Sequence, residues 1–479
     1  MSTDKIGEDL VKHVSCKVEW KPEVLDGYSA DASPYRMRPQ AVVFPRNHLD
    51  VASIVKFAAC NGIGVTPRGG GTGLVGGGIG DGIVISLMGV KGIALGDDYV
   101  TVGAGVTKGE LDRHLEGTGK FFSPNPSVGP YCTIGGMLAT NASGTRALKY
   151  GSMIDNVMEV EFVDGRGCLH KFPDDSQIAS NILDIACGMN REDFPKVAKN
   201  SCGYRLDAVS SIRDAHKILA GSEGTLGIIV STKLKVHNIP QRRVLSVYGY
   251  TSAYDAAHDC IRMISMMPAA VEFLGREIAQ SIPAIPEWVR GLIYMETDKN
   301  TETTPAPQGT LRGKLIRRTD NTSEMDVWWK YRHSSLLQTL RKRRVSLHLF
   351  EDATVPVENI ERLMRLLEDI EECFHVSTIM YGHIGSGNPH VILYPAIHDV
   401  ATIRNIAEAY FAGVIGMGGT ITGEHGDGLA RTDFVRMQYG DNTLSKFQKL
   451  KKLLDPQGIL NPGKIISHKR QLGRSLVLE

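Results

Sequence analysis

Glycine accounts for 52 of the 479 residues, and 16 of these glycines lie in three short blocks that constrain the fold more than any other feature of the chain. The blocks are residues 67–82 (PRGGGTGLVGGGIGDG), 133–152 (TIGGMLATNASGTRALKYGS) and 220–236 (AGSEGTLGIIVSTKLKV). Because glycine has no Cβ and tolerates positive φ, its backbone N–H can approach an anion closely. We therefore expect a site for a phosphate-bearing cofactor, with glycine-rich structural turns as the alternative.

The first block does not fit the two common phosphate-binding loops. Residues 71–76 match the pattern G-x-G-x-x-G, but in a Rossmann turn that pattern opens a helix, and the residues that follow here are GGIGDG. No Gly-Lys-Ser or Gly-Lys-Thr follows, which excludes a Walker loop. The sequence predicts free backbone amides in a loop of another architecture.

Charge and composition exclude several classes of protein. With 54 Lys and Arg against 53 Asp and Glu, the net charge of +1 argues against nucleic acid as the main partner. The first residues, MSTDKIGEDLVKHV, lack the apolar run of a signal peptide, and no apolar stretch approaches the roughly 20 residues of a membrane span. We expect a cytoplasmic protein, with any membrane association peripheral. None of the eight cysteines forms Cys-x-x-Cys, which disfavours a cysteine-ligated zinc or iron–sulfur centre in this chain.

A second group of candidate residues lies in the C-terminal half. His383 and His390 flank a glycine-containing turn between two strand-like segments, TIMYGH and HVILYP, and Glu424 follows in TGEHGDG. A hairpin brings its flanking residues together, so both imidazoles can meet one ion. Two histidines and a carboxylate leave an open coordination position, as catalytic divalent metals require. We predict a metal site here; ordinary, unconnected histidines are the alternative.

The blocks PRGGGTG, TIGGMLATNASG, GSEGTLGI and LDPQGILNPGK, in this order, resemble the FAD-linked oxidase family of the vanillyl-alcohol oxidase type. The resemblance implies an α+β fold: a PCMH-type FAD-binding domain of two subdomains in residues 1–238, and an α+β substrate (cap) domain with the metal site in residues 239–443. Residues 444–479 would return to the FAD domain. Members that bind flavin covalently carry a histidine where this chain has Thr72, so we expect non-covalent FAD.

The same resemblance implies which residues line FAD. They are Pro67, Arg68, Gly69, Gly70, Gly71, Thr72, Gly73, Pro126, Ser127, Thr133, Gly135, Gly136, Ala139, Asn141, Ser143, Gly144, Glu223, Gly224, Ile229 and Asn461.

The histidine and glutamate motifs resemble the branch of the family that contains D-lactate, D-2-hydroxyglutarate and glycolate dehydrogenases. That likeness implies oxidation of a D-2-hydroxy acid to the 2-oxo acid with hydride transfer to the flavin; the D configuration rests on the likeness alone. It also implies His383, His390 and Glu424 as metal ligands and His425 as the catalytic base. A metal lowers the pKa of the substrate hydroxyl. We expect zinc, with manganese and iron open.

Arg332, in WWKYRHSS, resembles the family's substrate-binding arginine. A guanidinium matches a carboxylate with two hydrogen bonds, and a solvated helix arginine is the alternative. Where 2-hydroxyglutarate enzymes carry polar residues, this chain has Leu336, Phe350 and Ile392. We therefore expect a smaller or less polar acid, such as D-lactate or glycolate.

A flavin that is reduced by substrate must pass its electrons on, and the sequence shows no second redox centre. We expect an external acceptor: a quinone, a cytochrome or an iron–sulfur partner subunit. Basic clusters at 341–344 and 446–452 are typical of solvated faces, although they also suit an anionic partner or membrane surface. A homodimer is compatible with the sequence. The alternatives are an enzyme similar to alkyl-dihydroxyacetone-phosphate synthase and a non-catalytic FAD subunit of a larger oxidase.

Overall fold

The computed structural model describes residues 3–283, 285–299, 310–342, 350–394 and 399–477. Strands and helices are mixed along the chain. The strands are β1 (Lys17–Glu19), β2 (Ala41–Phe44), β3 (Val65–Arg68), β4 (Ile83–Ser86), β5 (Ile93–Leu95), β6 (Tyr99–Gly103), β7 (Lys120–Phe121), β8 (Val157–Val163), β9 (Leu169–Phe172), β10 (Ile228–Lys235), β11 (His237–Asn238), β12 (Arg242–Tyr250), β13 (Ala270–Gly275), β14 (Gly291–Lys299), β15 (Lys314–Thr319), β16 (Ser377–His383) and β17 (Asn388–Tyr394).

The α-helices are α1 (Thr3–His13), α2 (Pro22–Gly27), α3 (His48–Asn61), α4 (Lys108–Leu115), α5 (Ile134–Ala139), α6 (Ala147–Tyr150), α7 (Met153–Asn156), α8 (Ser176–Cys187), α9 (Ala253–Ile264), α10 (Arg276–Ala279), α11 (Thr322–Lys342), α12 (Ile360–Phe374), α13 (Val400–Gly416), α14 (Gly428–Arg431) and α15 (Val435–Leu454).

The N-terminal half contains two larger sheets. The first has the order β1-β2-β4-β3, in which β2, β4 and β3 are parallel and β1 is antiparallel to β2. The second is antiparallel, with the order β5-β6-β10-β8-β9. A side-chain cap from Asn47 starts α3, which buries one apolar face, including Val51 and Val55, in the core beside the first sheet.

The C-terminal half is built on a six-stranded antiparallel sheet, with the order β15-β12-β14-β13-β16-β17. Apolar residues cover it on both faces. One face packs with α9 and α12, and α12 buries Leu363 and Leu367, which lie one turn apart. The other face packs with α10 and the start of α11, through residues such as Leu274 and Met325. This second face carries the side chains of the candidate site.

The end of the chain returns to the first sheet. Helix α15 ends at Leu454, as the Asp-Pro sequence predicts, and the Asp455 carboxylate accepts the backbone N–H groups of Ile459 and Leu460. The backbones of residues 459–461 then bond to Val65 on β3. The domain limits at residues 238 and 443 stay predictions.

Two segments differ from what their local composition indicates. The basic stretch 446–452 has the composition of a helix that ends before Pro456, but helix α15 already begins at Val435 and is kinked at Gly440. The polar segment 297–314 has the composition of a loop, but it includes the end of β14 and the start of β15, and residues 300–309 lie outside the described chain. Residues 343 and 344 of the first basic cluster also lie outside it. Within the described ranges, no helix has the length and apolar character needed to cross a bilayer.

Gly224 provides a test of how the third glycine block packs on the first sheet. Its φ is +70°, and a Cβ there would lie 2.2 Å from Pro67 Cγ. Gly117 has φ +77° and no neighbouring atom within 4 Å of such a Cβ. Gly117→Ala therefore introduces backbone strain of about 1–2 kcal/mol, and Gly224→Ala adds about 1–3 kcal/mol of overpacking. We expect the urea midpoint to fall further for Gly224→Ala; equal shifts would contradict tight packing of this turn on β3.

Candidate active site

The first glycine block forms a loop with free donors. It follows β3 directly and, as predicted, contains no helix. No backbone N–H of residues 69–75 donates a hydrogen bond to another described residue. A Cβ at Gly69 would lie 2.0 Å from Thr133 Oγ1, and one at Gly70 would lie 2.3 Å from the Tyr131 carbonyl oxygen. The loop therefore needs glycine to approach the second block, and its unused amides fit a pyrophosphate.

Asn461 joins the third block to the first. Its Nδ2 donates to the carbonyls of Gly77, at 2.9 Å, and Glu223, at 2.7 Å. Its Oδ1 is buried and has no hydrogen-bond partner among the described residues. The structure thus gathers all three glycine blocks and the C-terminal segment at one place, and leaves a polar atom there for a bound group.

The remaining predicted FAD-lining residues lie on segments around this place. Thr133 caps α5, which carries Gly135, Gly136 and Ala139. The Thr72 hydroxyl lies 3.4 Å from the Cys132 thiol. Ile229 differs from the others because it is a buried residue of β10 within the hydrophobic core.

The two predicted metal-binding histidines lie on the hairpin of β16 and β17, as the sequence predicts. They are diagonal rather than directly opposite, since His383 pairs with Asn388 and His390 with Tyr381. The two imidazole rings are nevertheless close, with centroids 5.1 Å apart and planes nearly perpendicular. The hairpin therefore directs both rings to the same place.

Glu424 connects this hairpin to segments that are predicted to line the flavin. Its Oε2 accepts hydrogen bonds from the Ser143 hydroxyl, the Gly144 N–H at 2.9 Å and the Lys199 ammonium at 2.8 Å. The Lys199 ammonium is fully buried and also donates to Asn388 Oδ1 at 3.2 Å. Burial alone would raise the pKa of Glu424, but Lys199 and His383 lower it well below its usual value. This glutamate is therefore a carboxylate anchored through one oxygen.

The other oxygen of Glu424 faces both imidazoles. Oε1 lies 2.9 Å from His383 Nε2 and 3.4 Å from His390 Nε2. Because His390 Nδ1 donates to the Glu351 carbonyl at 3.0 Å, the neutral ring has its lone pair on Nε2. Burial lowers the pKa of His390, so this lone pair and Oε1 face each other as two acceptors. A divalent cation fits between such atoms.

Four residues at this site place ligand atoms within 4.8 Å of one another: Asp352, His390, Glu424 and His425. This set contains Asp352 and His425 instead of His383. The Asp352 carboxylate is already occupied, since it accepts the backbone N–H groups of residues 423–425. Asp352 therefore shapes the turn, and His383, His390 and Glu424 remain our predicted ligands.

His425, the predicted base, is held by its neighbours. Its Nδ1 lies 2.7 Å from Glu351 Oε1, and its ring stacks on His390 at an angle of 15°. Its side chain is 22% exposed, and Nε2 hydrogen-bonds to no other described residue. Burial alone would lower the pKa of His425, but the Asp352 and Glu351 carboxylates raise it to about 9. Action as a base therefore requires nearby positive charge that offsets the two carboxylates.

Arg332 is not a solvated helix arginine. It is 2% exposed, and its Nε and Nη2 donate to Glu272 Oε2 at 3.0 and 2.6 Å. The other oxygen of Glu272 lies 2.5 Å from His383 Nδ1. Burial alone would raise the pKa of Glu272, but His383 and Arg332 lower it to about 2. One buried carboxylate thus positions both a predicted metal ligand and the predicted substrate-binding arginine.

Sequence reasoning missed the residues that hold the site together: Glu272, Glu351, Asp352 and Lys199. A signal existed for the first, which is a single acid in the apolar strand AVEFLG. Glu351 and Asp352 directly follow Phe350, and only their spatial position gives them a role. Nothing in the local sequence distinguishes Lys199 from a surface lysine.

Two of the three apolar residues behind the expectation of a small acid pack against other apolar side chains. Phe350 packs against Tyr410 and Phe411 of α13, and Ile392 belongs to the apolar cluster that contains Ile379. The side chain of Leu336 lies outside the described residues. The expectation of a smaller acid stays a prediction.

Comparison with known families identifies the class of protein. The model of the FAD binding domain matches residues 39–172, and the model of the FAD linked oxidases, C-terminal domain, matches residues 239–465. The chain belongs to the FAD-linked oxidase family and is an FAD-dependent oxidoreductase, which confirms the predicted family, the fold class and FAD as cofactor.

Several known proteins are similar over most of their length. The D-lactate dehydrogenase of Archaeoglobus fulgidus is 31% identical over 467 residues, covering 92% of this chain and 96% of the relative. The glycolate oxidase subunit GlcD of Bacillus subtilis is 29% identical over 462 residues, with 92% of each chain covered. Among solved structures, an alkyldihydroxyacetonephosphate synthase has a TM-score of 0.65 at 15% identity, covering 95% of this chain and 86% of that one, and this likeness shows the fold alone.

The role of Glu272 can be tested by metal affinity. Glu272→Gln removes the charge beside His383, and loss of such a partner typically weakens metal binding by about 10- to 100-fold. Asp298→Asn is the control, since Asp298 is a buried carboxylate of the same sheet that bonds to Lys149 and Tyr150. We expect titration with Zn²⁺ to show weaker binding only for Glu272→Gln. Unchanged affinity would contradict the ligand role of His383.

Proposed function

We propose that this protein oxidises a D-2-hydroxy acid to the corresponding 2-oxo acid with FAD as the hydride acceptor. The observation that carries the proposal is the contact of Glu424 with Ser143 and Gly144. Through this contact the histidine and carboxylate cluster borders a segment that we predict to line the flavin. The relatives named as a D-lactate dehydrogenase and a glycolate oxidase subunit support the same reaction class.

The free amides of residues 69–75 would hold the FAD pyrophosphate, with Asn461 and the segments at 133–144 and 223–224 around the rest of the cofactor. Thr72 offers no imidazole, so we propose non-covalent binding. The chemistry that FAD supplies when bound is acceptance of the substrate's α-hydrogen as hydride.

His383, His390 and Glu424 would hold a divalent cation, with zinc as our candidate and manganese and iron as alternatives. Such a cation supplies positive charge that lowers the pKa of a nearby hydroxyl. The chain prepares the ligands itself: the Glu351 carbonyl fixes the tautomer of His390, and Glu272 fixes the ring of His383.

His425 would take the proton of the substrate hydroxyl through Nε2. Glu351 holds the opposite nitrogen and so fixes the direction of the ring. Arg332 would bind the substrate carboxylate through Nη1, since Glu272 occupies its Nε and Nη2. Buried carboxylates thus hold both His425 and Arg332 in position.

D-lactate and glycolate are the short substrates that the sequence favours. An external acceptor, such as a quinone, a cytochrome or an iron–sulfur partner subunit, would reoxidise the flavin. We expect a cytoplasmic location, peripheral to a membrane where the acceptor is membrane-bound.

Reduction of the flavin under anaerobic conditions tests the reaction. We expect D-2-hydroxy acids, but not their L-enantiomers, to bleach the FAD absorbance of the purified protein, and a chelator to slow the bleaching. Chelator-insensitive reduction would contradict the metal. A chain that stays oxidised with every acid, even with metal supplied, would favour a non-catalytic subunit, and adduct formation without a metal requirement would favour chemistry of the alkyl-dihydroxyacetone-phosphate synthase type.

His425→Asn tests the base. General base catalysis typically contributes about 10²- to 10⁴-fold, so we expect a loss of this size in the rate of flavin reduction with FAD content unchanged. His375→Asn is the control, because His375 is exposed and its φ of +53° is one that asparagine tolerates. Equal rates for the two variants would refute the role of His425.

A further inference from the structure

Two arginines reach the same face of the six-stranded sheet, and each is held by a buried carboxylate. Arg332 binds Glu272 on β13, as described above. Arg146, which begins the turn into α6, donates from Nε to Glu296 Oε1 at 2.8 Å and from Nη2 to Oε2 at 3.1 Å. Trp329 Nε1 also donates to Glu296 Oε2, at 2.9 Å. The two ion pairs therefore lie next to each other on one face of the six-stranded sheet.

The strand register gives the relation between the two carboxylates. Glu296 on β14 pairs with Ala270, and Glu272 pairs with Tyr294. Glu272 and Glu296 are thus diagonal neighbours on one face, typically about 7–8 Å apart. Since β13 lies between β14 and β16, Glu296 is one strand further than Glu272 from His383. The Arg146 ion pair lies farther from the metal ligands than the Arg332 ion pair.

Arg146 differs from Arg332 in its exposure and in the surroundings of Nη1, since Arg332 Nη1 lies 3.4 Å from His333 Nδ1. The side chain of Arg146 is 26% exposed, whereas Arg332 is 2% exposed. Its Nη1 has no hydrogen-bond partner among the described residues, although Glu296 fixes the rest of the guanidinium. Such a group is both oriented and accessible, which is the arrangement that recognises a carboxylate.

Arg146 also belongs to the segment that borders the reaction site. It follows Gly144 by two positions, and the Gly144 N–H bonds to Glu424. We infer that Arg146 determines substrate specificity by binding a second carboxylate, at the end of the substrate remote from the reacting hydroxyl. This inference rests on the proposed function.

The spacing indicates the class of substrate. The two carboxylates lie about 7–8 Å apart, and four carbon–carbon bonds of about 1.5 Å each, with the carboxylate oxygens beyond their ends, span a similar distance. A 2-hydroxy dicarboxylic acid with three carbons between its carboxylates fits, with one carboxylate at Arg332 and the other at Arg146. This class is longer and more acidic than the D-lactate or glycolate that Leu336, Phe350 and Ile392 favour.

The test compares two substrates that differ only in the remote group. D-2-hydroxyglutarate carries the second carboxylate, and D-2-hydroxy-5-methylhexanoate carries an isopropyl group there instead. Anaerobic stopped-flow reduction of the FAD-loaded enzyme gives the limiting rate divided by the apparent Kd for each acid. Arg146→Gln is the variant, and Lys149→Gln is the control, because Lys149 pairs with Asp298 of the same strand, β14.

We expect the wild-type enzyme to prefer D-2-hydroxyglutarate over its isopropyl analogue. Loss of a hydrogen bond to a charged group corresponds to about 10- to 100-fold in binding. For Arg146→Gln, the limiting rate divided by the apparent Kd should therefore fall by about that factor with D-2-hydroxyglutarate and by less than about threefold with the analogue. Arg146→Lys should retain part of the preference, and Lys149→Gln should retain all of it.

The inference would be overturned if Arg146→Gln lowered the limiting rate divided by the apparent Kd equally for both acids, or for neither. A wild-type preference for D-lactate, glycolate or the isopropyl analogue would also overturn it. Failure of every D-2-hydroxy acid to reduce the wild-type flavin would instead refute the proposed function itself.

A binding measurement without turnover distinguishes loss of carboxylate recognition from general damage to the variant protein. Glutarate and 5-methylhexanoate lack the hydroxyl and differ in the same remote group, and their binding can be followed by the absorbance of the oxidised flavin. We expect wild-type and Lys149→Gln proteins to bind glutarate more tightly, and Arg146→Gln to lose that difference at unchanged FAD content. A retained difference would overturn the inference.

Discussion

The two carboxylate oxygens of Glu424 have different partners, and the rest of the site depends on this arrangement. One oxygen is fixed by Ser143, Gly144 and Lys199, and the other is thereby directed at two imidazoles. A glutamate with both oxygens free would adopt several rotamers and would not define a ligand position. Since Ser143 precedes Glu424 by 281 positions, this one group also connects the two halves of the chain.

A cluster of buried charges is stable only where each charge has a partner, because an isolated ion in the interior is strongly unfavourable. This site meets that condition with alternating signs: Lys199 beside Glu424, Arg332 beside Glu272, and Arg431 beside Glu351. The pairs hold the functional side chains in single orientations before any ligand binds. Preorganisation of this kind is what catalysis by a fixed electrostatic environment requires.

The sequence was sufficient for the helix-free glycine loop after β3 and for the hairpin that carries His383 and His390, because glycine blocks and alternating strands are local patterns. It was insufficient for Glu272, Glu351 and Lys199. Their roles depend on contacts across many residues of chain, and their local surroundings resemble those of ordinary strand or surface residues. Arg332 was identified by likeness, but its burial and its partner follow only from the register of β13 against its neighbours.

The glycine blocks and the charged cluster have a common physical basis. In the loop at 69–75, four of the seven residues are glycine and the backbone donors have no partner among the described residues, whereas around Glu424 most donors are used. A bound anion can therefore be accommodated at the first place without breaking a protein hydrogen bond. At the second place Glu424 Oε1 and His390 Nε2 face each other at 3.4 Å as two acceptors, which favours a cation. The distribution of unused donors and acceptors thus assigns opposite charges to the two parts of the site.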